Sequence, residues 1–225
     1  MSALPQRARA WWQRILSGPR AGVAGRPGLE RWVVLDVETS GLDTSQDKLL
    51  AIAAVALRVD WARARLDITL GDSFEVLLRQ DLVSSRDDIL LRGIGEQRQR
   101  AGLAPALALQ AFADFVQSSP LLAFRSGFDE SLIGRHCQQH LGRRLANPWL
   151  DMEHLCVLTQ GSAPARSLDD WFQHFGIECA QRHQAAADAL AESELLQRIG
   201  PALFRQCRCW DDVIRLAGHR RWLRD

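Results

Sequence analysis

The chain has 225 residues, of which 47% are hydrophobic and 24% are charged, and this composition is ordinary for a soluble globular protein with one domain and short appendages. Its formal net charge at pH 7 is +1, which excludes a strongly basic surface over the whole molecule. No segment approaches the roughly 20 consecutive apolar residues that a membrane span needs, so no membrane span is predicted.

The N-terminal segment, residues 1–30, is basic and ends in a linker. Residues 1–31 contain six arginines and a single acid, Glu30. The sequence AWWQRIL at 10–16 has apolar residues at helical spacing, which indicates either a short helix that docks on a polymerase or another protein partner, or a leader that packs on its own domain or on nothing. Arginines interrupt this segment, so it does not resemble a signal peptide. Four glycines and two prolines make residues 17–30 a predicted linker.

Three strands begin the predicted domain. They are residues 31–38, 48–60 and 65–79, and Gly71 inside the third strand predicts a bulge. The short connections between these strands favour an antiparallel meander.

Helices and short strands alternate after the meander. Helices are predicted at 106–117, 128–141, 167–177, 183–199 and 210–225, with a strand at 120–124 and a strand that turns into a helix at 148–160. Ser167 and Asp170 have the spacing of a capping box. The pattern predicts an α/β domain in which helices cover a mixed sheet, an antiparallel meander plus parallel strands.

The cysteines indicate a reducing compartment. There are five of them, an odd number, and no CxxC pair occurs, which is typical of reduced thiols in a cytoplasmic protein. Cys207, Cys209 and His219 are close enough in sequence to suggest zinc ligands. Their spacing matches no common zinc-binding pattern, so we do not predict a zinc site.

Two carboxylates lie at the end of the first apolar strand. Side chains alternate across a strand, so Val34, Asp36 and Glu38 share one face. Two acids on one face repel each other and resist desolvation unless arginines or a divalent cation compensate their charge. The alternative is that Glu38 already lies in the following turn and is solvated.

Two further acids and a histidine are at structured positions. Asp129 falls at the start of a predicted helix, where an acid is often only an N-terminal cap. Asp188 falls on the apolar stripe of a predicted helix, near Glu192, and therefore needs a cation or hydrogen-bond donors. His183 can converge with Asp188 only from the loop before that helix, because five helical residues would turn the two side chains roughly 140° apart. A histidine at such a place is more often structural than catalytic.

Three sequence blocks together resemble the motifs of the DEDDh family of 3′–5′ exonucleases. The blocks are LDVETSGLD at 35–43, FRSGFD at 124–129 and RHQAAADALAESEL at 182–195. The resemblance covers residues 32–199, and it implies the ribonuclease H-like fold that this family shares with the proofreading subunit of the bacterial replicative polymerase. Between the blocks, RGIG replaces a His-Gly-Ile-Thr type of segment, which makes Arg92 a candidate phosphate contact.

The resemblance implies a catalytic site with two metal ions. Asp36 would bridge both ions, and Asp129 would support one of them. Glu38 and Asp188 would hold the ion that binds the attacking water, and His183 would take the proton from this water as general base. Because every ligand offers oxygen, the ions are expected to be Mg²⁺ or Mn²⁺.

The resemblance also implies substrate-binding residues. Thr39 would contact the 3′-OH, and Leu42 would wedge against the last base. The family has His-Asn where this chain has Phe124 and Arg125, so nucleotide recognition is expected to differ there. Arg125 is expected to contact a backbone phosphate; the alternative is that it pairs with an acid such as Glu130.

The activity that the resemblance implies is removal of nucleoside 5′-monophosphates from the 3′ end of DNA, at single-stranded or frayed ends. Two alternatives stay open: an exonuclease of the same family that acts on RNA or oligoribonucleotides, and a non-catalytic module that docks on a polymerase. The predicted division is an extension and linker at 1–30, an exonuclease domain at 31–200 and a helical tail at 201–225.

Overall fold

The computed structural model describes residues 28–81, 94–161 and 167–218. The predicted N-terminal helix, Arg92 and His219 lie outside the described residues. The strands are β1 (Leu29–Thr39), β2 (Leu49–Asp60), β3 (Arg65–Leu77), β4 (Leu121–Ala123) and β5 (Trp149–Asp151). The helices in the described ranges are α1 (Glu96–Ala101), α2 (Pro105–Val116), α3 (Gly127–Leu141), α4 (Met152–Gln160), α5 (Leu168–Phe175), α6 (Ala185–Gln206) and α7 (Trp210–Gly218).

The strands form one mixed sheet in the order β3-β2-β1-β4-β5. β1, β2 and β3 are antiparallel neighbours, whereas β4 runs parallel to β1 and β5 runs parallel to β4. The predicted meander followed by parallel strands is therefore confirmed. The bulge at Gly71 is confirmed as well, since Val55 pairs with Ser73 while the next residue of β2, Ala56, pairs with Thr69.

Helices cover both faces of the sheet, and β1 supplies side chains to both cores. Trp32 and Val34 belong to the cluster that β1 shares with α4, α5, α6 and α7. Val33, Leu35 and Val37 belong to the cluster on the opposite face, with α2 and α3. Burying such a side chain stabilises the fold by about 1.5–3 kcal/mol, so a slip of the strand by one residue would be costly. The strand's apolar residues thus direct Asp36 and Glu38 toward the α6 face.

One helix is absent from the prediction and another extends beyond its predicted end. α1 was not predicted, because its sequence EQRQRA has no apolar stripe; its buried residue, Gln99, is held by a bond from its Nε2 to the carbonyl of Ile94 at 2.9 Å. α6 extends seven residues beyond the predicted end at 199 and includes Pro201. Burial of Leu203 and Phe204 in the α6-side core offsets the backbone hydrogen bond that a proline removes.

The C-terminal part of the described chain packs on this same core. Residue 200, where the sequence suggested a division, lies within α6, and Val213 and Ala217 of α7 join the α6-side cluster. The part of the predicted last helix beyond 218 lies outside the described residues. Within the ranges that the structure covers, no helix is both long and apolar enough to cross a membrane.

Candidate functional site

Three carboxylates meet at the end of β1. One oxygen from each of Asp36, Glu38 and Asp188 lies within 4.8 Å of the other two. Asp36 and Glu38 come from alternate positions of β1, and Asp188 comes from the first turn of α6. Glu38 and Asp188 are buried and Asp36 is partly buried, which excludes the alternative of a solvated Glu38 in the turn. Oxygen donors so close together suit a hard divalent cation such as Mg²⁺ or Mn²⁺.

Asp129 is a buried acid beside this cluster, in the first turn of α3. The residue at the N-cap of α3 is Ser126, which excludes the alternative that Asp129 is only the N-terminal cap of this helix. Burial raises the pKa of Asp129 to about 8, and the charge of Asp151 adds to the increase. The pKa of Asp36 is raised well above its ordinary value, first by burial and then by the negative charges around it. These acids therefore need a cation to be ionised together.

Glu192 is a fifth acid at the site, to which the sequence reasoning assigned no role. It lies one helical turn after Asp188 on α6 and is 2% exposed. Its Oε2 accepts a hydrogen bond from the backbone N–H of Phe124 at 3.1 Å. Burial and the charge of Asp129 raise its pKa well above the ordinary value. The spacing of four residues from Asp188 was the available signal, since it places both acids on one face of a helix.

Two residues next to the acids have left-handed backbone conformations. Arg125 has φ 59° and His183 has φ 63°, a conformation that costs a non-glycine residue about 1–3 kcal/mol. Each backbone N–H is held by a carboxylate, from Arg125 to Asp151 at 2.9 Å and from His183 to Asp188 at 2.8 Å. His183 precedes α6 and its side chain is exposed, so the loop position that convergence with Asp188 required is confirmed.

The side chains that replace the family's His-Asn pair lie at the rim of the site. Phe124 is partly buried, and the guanidinium of Arg125 lies 5.8 Å from the centre of its ring. The side chain of Arg125 is 63% exposed and forms an ion pair with Glu153, with 3.7 Å between Nε and Oε2. Arg125 is thus at the surface, next to an acid on α4.

The turn after β1 is held by hydrogen bonds and presents an apolar side chain to solvent. Thr39 is buried, and its hydroxyl donates to the carbonyl of Gly41 at 2.5 Å. Asp47 accepts from the backbone N–H of Asp43 at 2.7 Å, and a Cβ at Gly41 would lie only 2.4 Å from its Oδ2. A Cβ at this position would therefore push the Asp47 carboxylate away from its hydrogen bonds, and the turn leaves Leu42 85% exposed.

Comparisons with known proteins agree with this arrangement. The RNase_T exonuclease family model matches residues 33–196. PolC-type DNA polymerase III of Clostridium perfringens is 27% identical over 168 residues, which are 75% of this chain and 11% of that protein. The same type of polymerase from Caldanaerobacter subterraneus subsp. tengcongensis is 27% identical over 176 residues, which are 75% of this chain and 12% of that protein. The chain thus spans a small part of these relatives.

A solved structure supports the fold. Escherichia coli exonuclease I in complex with a dT13 oligonucleotide matches with a TM-score of 0.63 at 17% identity, over 83% of this chain and 46% of that one. At this level of identity the match concerns the fold, and it confirms the ribonuclease H-like architecture that the sequence blocks implied.

Proposed function

The chain belongs to the RNase_T exonuclease family, and on this premise we propose that it is a metal-dependent 3′–5′ exonuclease that removes nucleoside 5′-monophosphates from single-stranded or frayed 3′ ends of DNA. The observation that supports this most is the convergence of three carboxylates within 4.8 Å. DNA is the favoured substrate because the relatives are DNA polymerases and the matching exonuclease I is bound to a DNA oligonucleotide.

The acids of the site are proposed to hold two divalent ions, Mg²⁺ or Mn²⁺. Glu38 and Asp188 are proposed ligands of one ion, Asp129 of the other, and Asp36 of both. When bound, such a pair of ions activates a water and stabilises the charge that develops on the phosphate. The raised pKa values of Asp36 and Asp129 fit this role, because buried carboxylates that repel each other gain most from cations.

His183 is proposed as the general base. Its backbone N–H donates to Asp188, so its loop is anchored to the carboxylate cluster while the residue itself is exposed to solvent. Histidine is the side chain that ordinarily changes charge near neutral pH, and its neutral form can take a proton from the attacking water.

The terminal nucleotide is proposed to lie on the turn after β1. Leu42 is exposed and apolar, so it can pack on the last base. Thr39 directly follows Glu38, so it is proposed to lie near the 3′-OH. Phe124 is partly buried and its backbone N–H donates to Glu192, so its ring is proposed as a second stacking surface. Stacking contacts of this kind accept every base, so we expect little sequence preference.

The experiment that tests this proposal follows the polarity of cleavage. Purified protein is given 5′-labelled single-stranded DNA, duplex DNA and RNA with Mg²⁺, Mn²⁺ or EDTA, and the products are separated on a gel. We expect a ladder shortened by one nucleotide at a time from the 3′ end, no products in EDTA, and a block by a 3′-phosphate. Internal cuts in circular single-stranded DNA would refute an exonuclease, and faster loss of RNA would change the substrate class.

Arg125 is proposed to contact the phosphate backbone of the incoming strand. Its side chain is mostly exposed and its ion pair with Glu153 is long, so the guanidinium can exchange that partner for a phosphate. We expect Arg125→Ala to weaken binding of all single-stranded sequences about equally and to reduce the slope of log affinity against log salt by about one ion. Turnover at saturating substrate should change much less. Identical salt slopes for both proteins would mean that Arg125 meets no phosphate.

A further inference from the structure

Arg182 places a positive charge between the carboxylate cluster and α5. Its Nη1 forms an ion pair with Oδ1 of Asp188, and its Nε donates to Oδ1 of Asp169 at 2.7 Å. The guanidinium also lies 5.7 Å from the ring centre of Phe172. These three contacts hold the side chain in place, and neither the proposed metal ligands nor the proposed general base explains its position.

The carboxylate of Asp188 is engaged by donors on both oxygens. Oδ1 accepts from Arg182 and lies 3.4 Å from the thiol sulfur of Cys179, and Oδ2 accepts the backbone N–H of His183. A divalent ion that binds Oδ1 must therefore share this oxygen with a guanidinium or displace it. Two cations on one oxygen repel each other, so displacement is the favoured outcome.

We propose that Arg182 is a positioning residue that holds Asp188 in place and competes with the divalent ion for it. This inference rests on the proposed metal site. Asp169, whose side chain is 71% exposed, also binds the guanidinium. Arg182 can therefore stay bound to Asp169 when it releases Asp188. Arg182 would then lower the affinity for metal while keeping the cluster of acids stable when no ion is bound.

Binding of Mn²⁺ tests this competition without a catalytic assay. We expect Arg182→Gln to bind Mn²⁺ about three to ten times more tightly than the wild type in calorimetric titration, because the competing charge is gone; the side chain is 32% exposed, and solvent screening limits the effect. The melting temperature should fall in EDTA, and saturating Mn²⁺ should restore most of the loss. A Kd that is unchanged or weaker would overturn the proposal, and so would a loss of stability that Mn²⁺ does not reverse.

Two matched variants separate charge from structure. Arg182→Lys keeps the charge but not the planar fork that contacts both acids, so its Mn²⁺ affinity should lie between those of the wild type and the glutamine variant; binding as tight as in the glutamine variant would overturn the assignment to charge. Arg58→Gln removes an arginine from a surface pair with Asp67 at 3.0 Å, and its Mn²⁺ affinity should match the wild type. If the wild type itself binds no Mn²⁺, the proposed metal site fails and this inference fails with it. If the wild type binds Mn²⁺ and Arg182→Gln binds it with the same affinity, only this inference is refuted and the proposed metal site stands.

Discussion

Replacing Asp36 by asparagine is expected to lower the rate of hydrolysis by at least about 10³-fold. Asp36 lies within 4.8 Å of both other carboxylates of the cluster, and its proposed role as ligand of two ions cannot be taken by a neutral amide. The measurement is single-turnover cleavage of single-stranded DNA at saturating Mn²⁺, so that weaker metal binding does not mask the chemical step. Near-normal turnover in this variant would remove Asp36 from the site.

The same substitution is expected to stabilise the protein in EDTA. The folded protein raises the pKa of Asp36, so it binds more protons than the unfolded chain once the pH exceeds about 4. Stability from such a group is present at low pH and is lost as the pH rises through its raised folded pKa. The neighbouring Asp129, whose pKa is raised to about 8, contributes in the same direction. We therefore expect the wild type in EDTA to melt at lower temperature at pH 8 than at pH 5. Asp36→Asn should reduce this decline and melt about 5 °C above the wild type at pH 8.

Asp67 provides the control for this effect. It lies on β3 between Arg58 and Arg65, whose hydrogen bonds lower its pKa. A group of this kind contributes stability above its unfolded pKa and loses it as the pH falls. Its contribution therefore changes with pH in the opposite direction to that of Asp36. Asp67→Asn should therefore leave the decline between pH 5 and pH 8 unchanged and should not affect hydrolysis. A decline that is the same in Asp36→Asn and the wild type would mean that the acids at the end of β1 do not repel each other in the folded protein.

Replacing His183 by glutamine is expected to lower turnover by about 10²–10⁴-fold, which is the usual contribution of a general base. The fold and the Mn²⁺ affinity should be kept, because the bond from this residue to Asp188 comes from the backbone N–H, which glutamine retains. The pH dependence of turnover that a histidine base imposes should be present in the wild type and absent from the variant.

A matched histidine makes this test specific. His174 on α5 is also exposed, and its ring contacts that of Trp171. His174→Gln should keep the turnover and the pH profile of the wild type. If His183→Gln keeps the pH profile of the wild type while turnover falls, His183 positions the loop and another group takes the proton.

Local patterns were enough to predict the strands of the meander and the positions of several site residues. The alternation of Val34, Asp36 and Glu38 assigned both acids to one face, because side chains in a strand can point in only two directions. Helical periodicity likewise predicted a buried Asp188 and, from it, a loop position for His183. Each of these conclusions depends on neighbours within about one turn or one strand, and such neighbours are visible in the sequence.

Other features depend on residues that are far apart in the sequence. Glu192 meets Phe124 across 68 positions, and only the packing of α6 against the sheet brings them together. Arg182, in the loop before α6, reaches Asp169 because α5 and α6 pack on the same core, so its proposed competition for Asp188 has no signal in the spacing of residues. The extension of α6 beyond Pro201 also follows from tertiary burial, which offsets a local preference against helix. Distances of this kind are set by how the helices and the sheet pack, and local periodicity does not contain that information.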